Sequence, residues 1–232
     1  MLTAKVKIWN QLIGAVLWDE HSEIGTFEFD KAFIKNEWDL SPLMMPLAEV
    51  KRGSTIFEFK RLNKETFYGL PGLLSDALPD KYGTTLINAW LAANGRTPGS
   101  MNPVERLCYM GKRGMGALEF EPSLHSGKEN SVAVEIKSLV EIAEQILGQR
   151  KAFTANIKED VKKGLEDIIR VGSSAGGARA KAIIAYNEST GEVRSGQVAA
   201  PKGFSHWLLK FDGVSNKALG DPAEYGRIEL AY

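Results

Sequence analysis

An intramolecular disulfide is excluded at the outset, because the chain carries a single cysteine, Cys108. One thiol in an otherwise ordinary composition fits a reducing cytoplasm and reads as a buried group rather than a nucleophile. Histidine is scarce as well, with three in 232 residues. His21 and His125 stand in polar connectors, and His206 precedes an apolar run. No pair of histidines, cysteines or carboxylates has metal-ligand spacing. Excess charge is absent: 29 Lys and Arg balance 29 Asp and Glu. That removes any whole-molecule attraction to nucleic acid or to a membrane surface, so neither is expected as a direct partner. No apolar run approaches the ~20 residues that cross a bilayer. The N-terminus alternates and carries lysines, unlike a signal peptide. There is no Walker A ending, no Gly-x-Ser-x-Gly elbow, no internal repeat and no low-complexity tract.

What is present is the composition of a soluble globular protein, 44% apolar and 25% charged. The first sixty or so residues read as β-rich. Val6 and Ile8, then Leu12, Ile13, Val16 and Leu17, flank a tight turn at Asn10-Gln11, with Gly14 as a bulge. Gly25–Asp30 and Ser54–Lys60 alternate as further strands, and the proline-broken stretch Ser41–Pro46 between them is extended. From Asp80 the period becomes helical, with Tyr82, Leu86, Ala89, Trp90 and Ala93 on one face and Gly95 as the stop. Asn102 is placed to cap a second helix that has Pro103 in its first turn. Ala117–Pro122 closes this half. His125–Asn130 is a polar connector. Beyond it, Ile136, Leu139, Val140, Ala143, Ile146 and Leu147 form one helical stripe, and Ile157, Val161, Leu165, Ile168 and Ile169 a second. Pro222–Tyr232 starts as a helix whose face (Tyr225, Ile228, Tyr232) has no stop signal. The expected class is α+β, with a β-rich subdomain over 1–122 and a second region over 123–232.

The second stripe runs into Val171-Gly-Ser-Ser-Ala-Gly-Gly-Ala-Arg-Ala-Lys181, and then into Ala182–Tyr186, short and rich in Ile and Ala. Glycines let a backbone turn successive N–H groups into one concavity, which suits a phosphate. Loop followed by strand is the layout of a kinase glycine-rich lid. Taken alone, the loop reads more readily as a small-residue turn between helix and strand. Lys210 lies within the apolar run Trp207–Phe211. It is either an edge lysine reaching for water or a strand lysine that contacts nucleotide phosphates and pairs with a helix glutamate. Glu229, or less favourably Glu224, is placed for that pairing. Lys162, Lys163, Arg170, Arg179 and Lys181 add a modest basic cluster around the loop, which fits a solvated face or attraction of phosphates.

With these residues in view, the chain resembles the HipA-like serine/threonine kinase toxins of bacterial toxin–antitoxin systems. Gly69-Leu-Pro-Gly-Leu-Leu-Ser-Asp-Ala-Leu-Pro-Asp-Lys-Tyr-Gly83 and Asn102–Pro122, which contains Gly111-Lys-Arg-Gly-Met-Gly-Ala-Leu118, resemble two long segments of that family. Ser174–Lys181 resembles its glycine-rich loop and Trp207–Phe211 its lysine strand. The resemblance implies a β-rich subdomain coupled to a kinase-like nucleotide-binding lobe that uses ATP with magnesium. It also implies a protein serine or threonine as acceptor, an aminoacyl-tRNA synthetase among the substrates known for the family, and an antitoxin of the HipB-like DNA-binding type. By position, Gly176, Gly177, Ala178, Arg179, Ala180 and Lys181 would meet the phosphates, Lys210 would contact the nucleotide, and Ser174 matches a loop serine that is autophosphorylated. Ala180 departs from the proline that many relatives carry. The family's catalytic Asp and magnesium ligands lie on later loops of a helical domain and have no counterpart here. The expectation is therefore a truncated chain that binds nucleotide but is silent in phosphoryl transfer. The competing expectation is a non-catalytic interaction module with a vestigial loop. A DNA-binding regulator is disfavoured by the lack of a basic recognition helix.

Overall fold

A computed structural model describes residues 2–124, 131–148, 159–172, 180–211 and 231. Of residues 147–148, 159–163, 170 and 172 it describes the backbone alone. The chain divides into two compact units. Met1–Leu78 joins Met101–Gly127 in the first, and Pro79–Ser100 joins Lys128–Tyr232 in the second.

The first unit is built on a five-stranded antiparallel sheet in the order β4-β3-β2-β1-β5. Its strands are β1 (Thr3–Ile8), β2 (Gln11–Asp19), β3 (Ile24–Phe29), β4 (Ile56–Phe57) and β5 (Leu118–Glu121). Alternation sends Ala4, Val6 and Ile8 of β1, Val16 and Trp18 of β2, and Phe27 and Phe29 of β3 into one core. The β1–β2 turn is centred on Trp9-Asn10, one residue earlier than the sequence suggests, and both residues have positive φ (49° and 65°). Two consecutive left-handed residues give a turn whose twist matches the flanking strands. The expected bulge is present. The register passes from Val6 opposite Gly14 to Lys7 opposite Leu12, leaving Ile13 as the extra residue. A Cβ on Gly14 would lie 2.2 Å from the Glu28 carbonyl oxygen, so the close strand approach here requires glycine.

The expected strand Ser54–Lys60 shortens to Ile56–Phe57, because the chain turns at Phe59–Leu62, where the Leu62 N–H donates to the Phe59 carbonyl (3.3 Å). Three short helices, α1 (Leu47–Lys51), α2 (Lys64–Phe67) and α3 (Gly72–Ser75), and one 3-10 turn, Phe33–Asn36, fill segments that read as turns or extended chain. Each is too short for a helical period to register. Three further helices are α4 (Lys81–Ala93), α5 (Pro103–Met110) and α6 (Ile136–Gly148). On α5 the Asn102 side chain accepts from the Glu105 N–H (2.8 Å) while the Glu105 carboxylate accepts from the Asn102 N–H (2.9 Å). This capping box holds Val104, Leu107 and Cys108 against the core of the first unit.

The second unit contains α4, α6, α7 (Glu159–Gly172) and a three-stranded antiparallel sheet in the order β7-β6-β8. Its strands are β6 (Lys181–Tyr186), β7 (Val193–Ser195) and β8 (Ser205–Lys210). Tyr82, Leu86, Ala89 and Ala93 of α4 are buried, and so are Leu139, Ala143 and Ile146 of α6 and Leu165, Ile168 and Ile169 of α7. Trp90 is only half-buried, and Ile136 is 36% exposed. Where a single cut at 122/123 is expected from sequence, Pro79–Ser100 groups with the second unit, because α4 packs on α7 and α6. The segment 222–232, apart from Ala231, lies outside the described residues. No helix among the described residues is long and apolar enough to cross a membrane.

Two outcomes follow from this packing. Gly69 has φ 74°, and a Cβ there would lie 2.3 Å from the Glu23 carbonyl oxygen, in a segment tied to β3 by the Gly25 N–H to Gly69 carbonyl bond (2.8 Å). Gly69→Ala is expected to cost about 1–3 kcal/mol of stability in denaturant titration. Burial, and then the charge of Glu105, push the Cys108 thiol up to about 11. At pH 8 the native thiol is therefore expected to resist a disulfide reagent until the protein is unfolded, and a fast native reaction would contradict its burial.

Candidate nucleotide-phosphate site

In sequence, the small-residue stretch lies between α7 and β6. Residues 173–179 lie outside the described residues, so nothing is placed for Ser174, Gly176, Gly177, Ala178 and Arg179. The same holds for Glu224 and Glu229, and for the side chains of Lys162, Lys163 and Arg170. Described are the exit of the loop, Ala180 and Lys181, and the strand lysine, Lys210.

These are brought together by strand pairing. In the β6–β8 ladder Lys181 stands opposite Lys210, Ala182 opposite Leu209 and Ile183 opposite Leu208. The Phe211 N–H donates to the Ala180 carbonyl (3.0 Å), so the ladder is closed at the point where the loop ends. Residues directly opposite share a face of the sheet. Lys181, Ile183, Leu208 and Lys210 therefore lie on one face. Sequence had already proposed Lys181 and Lys210 as members of one site, but gave no register. Along β8, Trp207 (53%), Leu208 (48%) and Lys210 are exposed.

The two lysines differ in environment. The Lys181 side chain is only 3% exposed, and its ammonium is paired with the Asp80 carboxylate, itself 9% exposed. The other Asp80 oxygen accepts from the Gly83 N–H (2.6 Å), making Asp80 the N-cap of α4. The Lys181 Nζ also lies 5.6 Å from the centre of the Tyr82 ring, within range of a cation–π contact. Tyr82 is fully buried, and its hydroxyl has no partner among the described residues. Burial, and then the negative charge of Asp80, push the Tyr82 phenol up, which keeps it neutral. His206 is used locally, with Nδ1 3.0 Å from the Gly196 carbonyl oxygen.

Sequence reasoning missed Asp80 and Tyr82 as parts of this site. The start of the helical period at Asp80 was readable from sequence. The pairing of that cap with a lysine 101 residues later was not. Among the described residues the arrangement offers an exposed lysine, a buried lysine with its counterion, and apolar side chains on the same face.

The first unit defines a class by itself: an antiparallel β sheet closed by a capped helix and edged by a strand from the end of the segment. Residues 4–121, just over half of the chain, match the family model described as the HipA N-terminal domain. The chain belongs to the HipA family. No curated protein matches it.

Asp80→Asn keeps a side chain able to cap α4 but leaves the Lys181 charge buried without its counterion. Stability is expected to fall by about 3–5 kcal/mol, read as a lower denaturation midpoint. An unchanged midpoint would mean that the pair is not desolvated in solution.

Proposed function

We propose that this chain supplies the nucleotide-binding part of a HipA-type serine/threonine protein kinase. Residues 176–181 and Lys210 would meet the phosphates of ATP taken up with magnesium. The observation that carries this reading is the register of Lys181 opposite Lys210. It sets an exposed strand lysine beside Ala180 and Lys181, which follow in sequence the glycines that suit a phosphate cradle. Leu208, on the same face and 48% exposed, gives an apolar side chain about 7 Å along the strand from Lys210, a spacing of two residues that suits the base end of a nucleotide. ATP supplies the phosphoryl group. The protein's part at this end is to fix its charged oxygens with preorganised donors. Membership of the HipA family supports a protein serine or threonine as acceptor, with a translation component such as an aminoacyl-tRNA synthetase as its source. It likewise supports an antitoxin of the HipB-like type as partner.

A second reading is a docking module without catalysis. It is favoured by the aromatic and apolar side chains that the first unit exposes: Trp9 (67%), Trp38 (40%) and Leu43 (91%), with the two indoles edge-to-face at 5.3 Å. Calorimetric titration with Mg·ATP separates the two. Under the kinase reading the chain binds ATP, and Lys210→Ala weakens binding about tenfold or more, the worth of one charge-assisted contact. If Lys210→Ala and a Gly176→Ala, Gly177→Ala double variant bind as well as the parent, the nucleotide reading is wrong.

A further inference from the structure

A cavity of about 380 Å³ opens in the first unit, lined by Met44, Glu58, Phe59, Lys60, Arg61 and Leu62. That volume lies at the lower end of what bound ligands fill, about 300–1,000 Å³. Five of the six lining residues follow directly on β4, the outermost strand of the five-stranded sheet. The turn at Phe59–Leu62 gathers them, and Phe59 packs against the core. Met44 comes from the turn before α1. There the Met45 N–H donates to the Ser41 carbonyl (2.9 Å), and Met45 is buried while Met44 is left 53% exposed. The charges of the lining do not cancel. The Glu58 carboxylate takes the Lys60 ammonium (2.8 Å) and accepts from the Thr26 hydroxyl (3.5 Å). Arg61 is exposed and makes no hydrogen bond or ion pair among the described residues. An exposed arginine is ordinary by itself. This one stands beside three apolar side chains, at a cavity whose other two charges neutralise each other. Its guanidinium is weakly hydrated and shaped for a carboxylate.

We propose that this cavity docks a short segment of a partner protein: an apolar residue seats against Met44, Phe59 and Leu62, and an aspartate or glutamate beside it pairs with Arg61. The thioether of Met44 adapts to the shape of the incoming side chain. A protein segment fits better than a small organic acid, because apolar exposure continues past the cavity along the chain. Leu43, bonded to Met44, is 91% exposed, and Ile56, two residues before Glu58, is 60% exposed. A small acid would fill the cavity and leave both wet, whereas an extended segment has length to cover them. A nucleic acid would meet the cation and leave the apolar lining unused. The site lies wholly in the first unit and does not rest on the nucleotide reading.

The test is selection of random heptapeptides displayed on phage against the full chain, followed by affinity measurements on the synthesised peptides by fluorescence anisotropy. The expected peptides carry an apolar residue next to an aspartate or glutamate. Their affinity is expected to fall about tenfold on Arg61→Glu, the worth of one charge-assisted contact, and by a similar factor on Met44→Asp. Both side chains are exposed, and Arg61 has no described contact to lose, so the variants keep the fold. Replacing the peptide's acidic residue by lysine is expected to restore binding to Arg61→Glu within about threefold of the parent pair, a charge swap that a merely structural arginine would not give. Arg52→Glu, a reversal outside the cavity, is expected to leave affinity unchanged. Selection of no peptide, or of peptides without an acidic residue, overturns the proposal. So does a loss on Arg52→Glu equal to that on Arg61→Glu, which would mean diffuse charge attraction. Octanoate that binds in an Arg61-dependent way where no peptide is selected would assign the cavity to a small acid and overturn the protein partner.

Discussion

An ammonium taken out of water must bring a counterion with it, and in the second unit this constraint ties β6 to α4. Lys181 is the first residue of β6, and Asp80 is the cap of α4, so one carboxylate settles both a strand start and a helix start. The arrangement is economical in groups but not in free energy. Desolvating two charges costs several kcal/mol per ion, and their attraction repays it only with good geometry and further hydrogen bonds. Here the Gly83 N–H occupies the second carboxylate oxygen and the Tyr82 ring lies under the ammonium. A pair of apolar side chains of similar volume would serve stability as well. What the ionic pair adds is definition, because an apolar contact tolerates small slips that a buried salt bridge does not.

The first unit is held differently. Its core is a set of alternating strand residues closed by aromatic packing. The Phe27 and Phe29 rings meet edge-on at 4.9 Å, and Phe29 stacks on Phe33 at 6.2 Å. Its precision comes from backbone requirements rather than charges. Gly14 and Gly69 sit where a Cβ would strike a carbonyl oxygen, and the capping box fixes the start of α5. Charge pairs on this unit are exposed or half-exposed, as for Lys64 with Glu23 (50% and 67%), and contribute little.

How far each feature could be read from sequence follows from how local its cause is. The α5 start was legible because Asn102, Pro103 and Glu105 carry the whole capping box within four residues. The strands around Val6, Val16 and Phe27 were legible because period-two alternation survives wherever one face is buried. The β1–β2 turn shifted by one because Trp9 takes a left-handed φ that its residue type does not favour. Its ring meets Trp38 at 5.3 Å, a contact that local turn chemistry does not encode. The four-residue helices and the three-residue β7 leave no period to detect. On the site side, Lys181 and Lys210 were legible as candidates by residue type and order. Their register was not, because nothing in either strand taken alone specifies the pairing. Asp80 was hidden more deeply still. A cap residue carries the same local signature whether its second oxygen faces water or a lysine from a distant strand.

The family match and the paired lysines lie in different parts of the chain. The family match ends at residue 121, before β6 and β8 begin. In those strands the register sets two lysines opposite each other, one buried and one exposed. Two opposed lysines with equal surroundings would repel and splay the ladder at its open end. Sending one to a carboxylate on α4 removes that repulsion without removing either residue. The ladder then closes beside Ala180 with both lysines retained, because the buried one carries its own counterion from α4.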